Sequence, residues 1–349
     1  MAKPISDQSS DIAGLKTRHV FMDTCEYEKY NFNVVHPTLT NLRQIADARV
    51  IQIHTTDITK NEIVRHVNAK VLEYIHHQNL RIERSKKWID QFPTKFKQEI
   101  LIDKNELLKE WLSQLDLIWL WSIDHGIESV NIAELFNSYF EKKPPFDDDD
   151  SKEFPDAAWV MMLENWCKKN DSLMYMITSD KAAGRAVSQS ECLILVNNTE
   201  ELLEEYNKIK NEKGVGLIKG YLNSANVIEK IKDEFNNNWK TIETDYWGEA
   251  RDGKIDSMIA ESVDAIYQTT VISIGNEIAE CVMDVAVVLS VVIDYQEDVD
   301  DPEMEYSIRT YRDARTEYHT ERVRFLVRID TASGRVDGVE ILSQFLVIS

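Results

Sequence analysis

Short apolar runs alternate with helical patterns along the first 210 residues, and this alternation constrains the fold more than any other feature. The runs that predict strands are residues 19–22, 50–53, 173–178 and 192–196. The patterns that predict helices are residues 38–48, 59–88, 104–121, 129–140, 157–168, 181–188 and 199–209. Strands that alternate with helices form a parallel sheet covered by helices. The sequence therefore predicts a three-layer α/β domain over residues 18–210.

Four acidic residues follow these strands or open these helices. Asp23 ends the first apolar run, and Glu62 opens the helix after the second. Asp156 lies in Phe-Pro-Asp-Ala, and Asp180 lies in Ile-Thr-Ser-Asp-Lys. Carboxylates at the C-terminal edge of a parallel sheet converge on one crevice, and such oxygen ligands suit Mg²⁺ or Mn²⁺. We therefore predict that these four acids form a catalytic metal site for phosphodiester hydrolysis.

Each acid also has a purely structural interpretation. Glu62 completes Thr59-x-x-Glu62, a capping-box pattern, and Asp180 could cap the helix that follows it. Asp156 could complement a helix dipole, and Asp23 could form a turn. The placement of all four acids at strand ends or helix starts favours one shared site.

The distribution of charge limits the interpretation of nucleic-acid binding. The net charge of −21 argues against a simple basic nucleic-acid-binding module. Residues 60–97 nevertheless contain nine Lys or Arg against four acids. This stretch predicts phosphate contacts, with a solvated helix face as the alternative. The candidate nucleic-acid-binding residues are Arg81, Arg84, Lys86 and Lys87. Tyr27 and Tyr30 could stack on bases or be buried under the sheet.

Other sequence features concern location and processing. The four cysteines lie far apart without a C-x-x-C pair, which fits a reducing cytoplasm. Residues 1–17 have no apolar core, so we expect a flexible leader rather than a signal peptide. The most apolar stretch, residues 281–293, contains Asp284 and is too short to span a bilayer. It is expected to be a buried strand.

Residues 211–349 differ in character from the residues before them. Three glycines within residues 211–220 suggest a domain boundary, and helical patterns follow at 223–242 and 255–266. Strands are predicted at residues 270–274, 281–294, 305–311, 318–329 and 336–348. We expect an α+β domain with a mostly antiparallel sheet. Its alternating Arg322, Arg324 and Arg328 predict an exposed basic row for self-association or a regulatory partner, with a solvated face as the alternative.

The four motifs together resemble those of the PIN-domain nucleases over about residues 18–205. The resemblance is greatest to the longer bacterial branch with a Pro-Pro-Phe loop before Phe-Pro-Asp. It implies that Asp23, Glu62, Asp156 and Asp180 are the metal-site acids. Thr24 and Ser179 would be the hydrogen-bonding groups beside them. The family usually places Asn two residues after the first Asp, where this chain has Cys25.

The resemblance implies metal-assisted hydrolysis of RNA or single-stranded nucleic acid, as in a bacterial toxin-like or antiviral-defence effector. The alternative is a binding or regulatory protein that keeps the fold without catalysis. A haloacid-dehalogenase phosphatase is disfavoured because it needs a second Asp at position 25, which is Cys. Dinucleotide and P-loop folds are disfavoured because no Gly-rich fingerprint follows a strand.

Overall fold

A computed structural model describes residues 14–91, 103–120, 122–146, 153–248, 250, 253–300 and 308–348. The side chains of 81, 83–91, 117–118, 296–300 and 308–312 lie outside this description. The chain divides into two compact units, Met1–Leu202 and Leu203–Ser349. Most of the predicted leader lies outside the described residues. Within its last four residues, Lys16 N donates to the Tyr175 hydroxyl and Thr17 Oγ1 donates to the Leu173 carbonyl.

The first unit contains a five-stranded parallel sheet, as the alternation of strands and helices predicts. Its strands are β1 (His19–Met22), β2 (Gln52–Thr56), β3 (Ile123–His125), β4 (Met174–Ile177) and β5 (Leu193–Val196). Their order across the sheet is β3-β2-β1-β4-β5, with every neighbouring pair parallel. The short β3 was not predicted, because an Ile-Asp-His run has too few apolar residues to indicate a strand.

Helices cover both faces of this sheet. They are α1 (Thr24–Lys29), α2 (Pro37–Asp47), α3 (Asp57–Gln91), α4 (Lys104–Trp119), α5 (Ile132–Phe140), α6 (Phe154–Asn170) and α7 (Lys181–Ser188), followed by α8 (Thr199–Leu222). The alternation of β1 fixes the layers: Val20 and Met22 pack with residues of α2, α3 and α4, whereas Phe21 packs with α6 and α7. The predicted three-layer arrangement is therefore confirmed.

Helix α3 begins earlier than its apolar pattern suggests. The hydroxyl of Thr56 accepts a hydrogen bond from Thr59 N at 3.0 Å, so the cap lies before Asp57. Thr59 is inside the helix, so the alternative interpretation of Thr59 and Glu62 as a capping box is wrong. Glu62 is therefore free of the structural role that this pattern assigned to it.

Three buried histidines link the strands β1, β2 and β3 across the sheet. His19 Nδ1 lies 2.9 Å from His54 Nε2, and His54 Nδ1 lies 2.9 Å from His125 Nε2. Trp166 packs against all three rings. Burial lowers the pKa of His54 well below its usual value, and the neighbouring His19 and His125 lower it further. Burial therefore favours the neutral form of His54, the middle ring of the three.

The second unit is α+β with a mostly antiparallel sheet, as predicted. Its elements after α8 are α9 (Ala225–Asn238), β6 (Glu243–Tyr246), β7 (Lys254–Ile274), β8 (Ile278–Asp300), β9 (Ile308–Asp330), β10 (Val336–Ile341) and β11 (Phe345–Ile348). The order β10-β9-β8-β7 is antiparallel throughout, and β11 pairs with β6 in parallel. One sheet face packs against Val227, Ile231 and Phe235 of α9, all fully buried.

The helix predicted at residues 255–266 is wrong, because this segment belongs to the strand β7. Its pairing with β8 shifts register between Ile255 and Ser257, between Ala260 and Ser262, and again further along. Each such bulge adds one residue to the strand. The residues that pack on the core consequently fall at 255, 258, 260, 263 and 266. Their spacing imitates the helical period.

Three other boundaries differ from the sequence expectations. Of the residues expected to form a break, 211–220, only Asn211 has a non-helical backbone; it kinks α8 into two helices, and the residues after it are helical. The predicted strand 318–329 and the described part of the predicted strand 305–311, which starts at Ile308, belong to one strand, β9. The strand predicted at residues 281–294 is longer than expected, because β8 extends from Ile278 to Asp300. Among the described residues, no helix combines the length and apolar character needed to cross a membrane.

Candidate metal centre and active site

The parallel sheet places two of the predicted acids at one edge. Asp23 directly follows β1, and its backbone N donates to the Ile177 carbonyl at 3.0 Å. Asp180 follows β4, the strand next to β1. The C-terminal ends of neighbouring parallel strands meet at the same edge. The fold therefore directs the segments that carry Asp23 and Asp180 towards a common region.

Three carboxylates meet in this region: Glu153, Asp156 and Asp180, called here the acidic cluster. Their ligand oxygens all lie within 4.8 Å of one another. Asp156 lies in the first turn of α6 and Glu153 immediately before it. Asp180 caps α7, because its Oδ1 accepts from Ala183 N at 2.8 Å. The structure thus brings Asp156 and Asp180 together and adds Glu153, which sequence reasoning missed.

A signal for Glu153 was present in Glu-Phe-Pro-Asp. Residues three apart lie on the same side of a helical turn. Asp156 was selected because it follows Pro155. Glu153 lies three residues before Asp156, so the i, i+3 spacing would have selected it as a neighbour of Asp156. In the described part of the chain, this cluster is the group of three or more potential ligand residues close enough to hold one ion.

Asp23 lies beside this cluster and is held by three donors. It is 5% exposed. Its Oδ1 accepts from Thr24 N at 2.6 Å, and its Oδ2 accepts from Thr178 Oγ1 at 2.8 Å and from Cys25 Sγ at 3.2 Å. Burial raises the pKa of Asp23, the three donors oppose that rise, and the charge of Glu62 adds to it. Asp23 is not among the three residues whose oxygens fall within 4.8 Å.

Glu62 is connected to Asp23 through Thr24. The hydroxyl of Thr24 donates to Glu62 Oε2 at 2.9 Å, while its backbone N donates to Asp23. Glu62 is half-buried on α3 and also lies outside the three-acid cluster. Thr24 therefore donates hydrogen bonds to two acids at once.

Asp156 has a strongly raised pKa. Burial, the charge of Asp23, the hydrogen bond with Glu153 and the charge of Asp180 together raise the pKa of Asp156 to about 8. The indole N–H of Trp159 donates to Asp156 Oδ1 at 2.9 Å and opposes the rise. Several carboxylates share a space in which they repel one another, and a bound cation would relieve that repulsion.

The neighbours predicted for the acids differ from the observed ones at Ser179. Its backbone N and its hydroxyl lie 3.5 Å and 3.4 Å from Cys25 Sγ, so Ser179 contacts the thiol rather than a carboxylate. Burial and the charge of Asp23 raise the pKa of Cys25 to about 12, which keeps the thiol protonated. Cys25 thus donates to Asp23 from the position where the family usually has Asn.

The predicted nucleic-acid contacts are only partly described. Arg81, Arg84, Lys86 and Lys87 belong to α3, but their side chains lie outside the described residues. Tyr27 and Tyr30 are each 1% exposed, so neither can stack on a base in this structure. The burial interpretation is correct for both tyrosines.

The arginine row of the second unit is paired with acids. Arg322 and Arg324 both contact Asp284, and Arg328 contacts Glu280 and Glu340. The apolar residues between these arginines are buried, as the alternation predicted. The row is therefore a cross-strand set of ion pairs whose arginines keep partial access to water, and its positive charge is compensated by neighbouring acids.

Comparison with known proteins agrees with this architecture. Residues 20–182 match the family model of a PIN domain. The match covers the segment that carries all four predicted acids, and PIN domains have a nuclease-type fold that typically uses divalent metals. No curated protein and no solved structure matches the chain.

Proposed function

We propose that this protein is a metal-dependent nuclease that hydrolyses phosphodiester bonds of RNA or single-stranded nucleic acid. The observation that carries the proposal is the acidic cluster, whose ligand oxygens lie within 4.8 Å of one another inside a PIN-like segment. Carboxylates that only cap helices have no reason to approach one another so closely. Their mutual repulsion requires a compensating interaction.

The donor set fits Mg²⁺ or Mn²⁺. All three groups of the cluster are carboxylates, and hard divalent cations prefer such oxygen ligands. The raised pKa of Asp156 supports this choice, because a bound cation would favour the charged form of the carboxyl. Glu153, Asp156 and Asp180 would hold the ion, with Asp23 and Glu62 as the adjoining acids. When bound, such an ion supplies Lewis-acid activation of the phosphodiester and of a water molecule.

The protein's own groups prepare this site by fixing the acids. Three donors hold both oxygens of Asp23, and Trp159 holds Oδ1 of Asp156. Thr24 joins Asp23 to Glu62. Side chains locked in this way need little reorganisation when charge develops on the substrate.

A catalytically inactive binding protein is the second candidate function. Cys25 favours it, because a thiol replaces the usual Asn beside Asp23. The two candidates differ in hydrolysis and not in fold. We also extend the proposal to a toxin-like or antiviral-defence role, and to a regulatory or self-association role for residues 211–349. Growth after expression in bacterial cells and light scattering of the full chain test these two extensions.

Metal titration tests the proposed centre directly. A ligand present at 100 times its Kd stabilises the folded state by about 2.7 kcal/mol. We expect Mn²⁺ to raise the melting temperature and to permit cleavage of single-stranded RNA or DNA. A melting temperature that Mn²⁺ leaves unchanged, together with intact substrates, would favour the inactive binding protein.

A further inference from the structure

A cavity of about 760 Å³ adjoins the acidic cluster and shares Asp180 with it. One face of α7 forms its main wall, since the lining residues Lys181, Gly184, Arg185 and Ser188 follow the helical spacing i, i+3, i+4, i+7. The wall therefore begins beside Asp180 and continues for about 10 Å along the helix. We call this cavity the α7 groove.

The end of the groove nearest the cluster is cationic. Lys181 is exposed and directly follows Asp180, and Arg185 lies one helical turn further on. Their separation of four residues places both side chains on the groove face. Paired basic groups of this kind bind phosphate oxygens. A strand whose phosphodiester reaches the acids would place its adjacent phosphate here.

The middle of the groove is apolar and free of bulky side chains on the helix. A Cβ on Gly184 would lie 3.6 Å from Leu195 Cδ2, so the glycine and the leucine side chain are close neighbours on this surface. Pro144 also lines the cavity. An apolar wall without protruding groups can contact the flat face of a nucleic-acid base.

The far end of the groove is polar. Ser188 and Gln189 are both exposed there. The hydroxyl of Ser188 donates to the Gly184 carbonyl at 2.8 Å, which leaves its oxygen as an acceptor. The amide of Gln189 offers both donors and an acceptor. Such groups can recognise the edge of a base that lies against the wall.

We propose that the α7 groove binds one unpaired nucleotide of the substrate next to the bond cleaved at the acidic cluster. Lys181 and Arg185 contact its phosphate, Gly184 and Leu195 contact the face of its base, and Gln189 contacts the base edge. The inference rests on the proposed nuclease function and adds a requirement for unpaired substrate. A base in a duplex has both faces covered by its neighbours and cannot lie against the wall without leaving the stack.

Two substrates separate the groove from the hydrolytic centre. One is a labelled single-stranded oligonucleotide, and the other is bis(p-nitrophenyl) phosphate, a small diester without a base. Ser188→Trp fills the groove. We expect the ratio of oligonucleotide to diester hydrolysis to fall about tenfold through a higher KM, equivalent to about 1.4 kcal/mol. The matched control is Ser113→Trp, since Ser113 is also an exposed helical serine that donates to a backbone carbonyl.

The outcomes distinguish failure of the inference from failure of the proposed function. A ratio that Ser188→Trp leaves unchanged overturns the groove assignment, and so does equal cleavage of duplex and single strand. If the tryptophan lowers both activities together, Gln189→Ala decides: a raised oligonucleotide KM supports the groove, and an unchanged KM overturns it. A wild-type protein that hydrolyses neither substrate overturns the nuclease function, and the inference with it.

Discussion

Two carboxylates, the half-buried Asp156 in the first unit and the buried Asp284 in the second, have opposite electrostatic surroundings. Asp284 on β8 is 3% exposed and accepts from Arg322 at 2.6 Å and from Arg324 at 2.7 Å. Burial raises its pKa, but the bonds and charges of the two arginines outweigh burial and hold the pKa below its usual value. Asp156 is surrounded by other acids instead, and its pKa rises to about 8.

The difference separates a structural acid from a functional one. A buried carboxylate that has cationic partners is part of the folded structure, because its charge is compensated within the chain. Carboxylates gathered without a cationic partner oppose folding through their repulsion. Such an arrangement is typical of a functional site, where a bound ligand or ion balances the negative charge. Removing the negative charge should therefore lower the stability of the protein at Asp284 and raise the stability of the metal-free protein at Asp156.

The largest expected effect is on cleavage. Asp156→Asn keeps the acceptor for Trp159 but removes the negative charge that a metal ligand requires. We expect cleavage to fall by about 100-fold or more, equivalent to about 2.7 kcal/mol of barrier. The assay is cleavage of a single-stranded oligonucleotide with Mn²⁺. The control is Asp171→Asn at the other end of α6, where the left-handed backbone suits Asn. Equal loss in both variants would contradict a specific role for Asp156.

A smaller effect is expected for Asp284→Asn, on stability alone. Removing one partner of a buried ion pair costs about 3–5 kcal/mol. Arg322 and Arg324 keep partial access to water, with side chains 58% and 30% exposed, so we expect only about 1–2 kcal/mol. Urea unfolding at pH 7 measures it, with the exposed Asp294→Asn on the same strand as control. Cleavage per folded molecule should stay within twofold.

The loss of stability caused by Asp284→Asn should be smaller at low pH. The pKa of Asp284 is lower in the folded state than the unfolded value near 3.8. The ion pairs therefore contribute stability above pH 3.8, and this contribution disappears as the pH falls below that value. The cost of Asp284→Asn should shrink between pH 7 and pH 3. If Asp284→Asn lowers the free energy of unfolding equally at both pH values, the effect comes from packing and not from the ion pairs.

Much of the first unit could be predicted from local pattern. The apolar runs at 19–22 and 173–178 specify neighbouring strands, and parallel pairing alone brings the segments after them to one edge. Asp23 and Asp180 are directed towards one region for that reason, because they follow β1 and β4. Glu153 could not be selected from strand ends, because it belongs to no strand. Its contribution depends on a hydrogen bond with Asp156 that only the folded structure shows.

The second unit was harder to predict because its chemistry depends on strand register. The pairing of Asp284 with Arg324 across β8 and β9 is set by antiparallel register, which a single sequence does not reveal. The row of arginines consequently looked like a basic surface. The bulges of β7 had a similar effect, since they changed the period of the buried residues from that of a strand to that of a helix.

The smallest expected effect is on the stability of the metal-free protein, and its sign is opposite to that at Asp284. The pKa of Asp156 is about 8 in the folded state and near 3.8 when unfolded. The folded protein therefore keeps a proton that the unfolded chain releases, so stability is lost as the pH rises from about 4 to about 8. Asp156→Asn cannot ionise and avoids this loss. We expect the variant to gain about 1 kcal/mol at pH 8, a modest value because Asp156 is only half-buried and keeps partial access to water.

Urea unfolding in EDTA at pH 5 and pH 8 measures this gain, and Asp171→Asn is again the control. The advantage of Asp156→Asn should be larger at pH 8 than at pH 5, because repulsion within the acidic cluster grows as its members ionise. Adding Mn²⁺ should reverse the order, since the wild-type carboxylate then has a cationic partner. A variant that is less stable than the wild type at both pH values without metal would show that the Asp156 carboxylate stabilises helix α6. The contrast between Asp156 and Asp284 would then no longer mark a functional site.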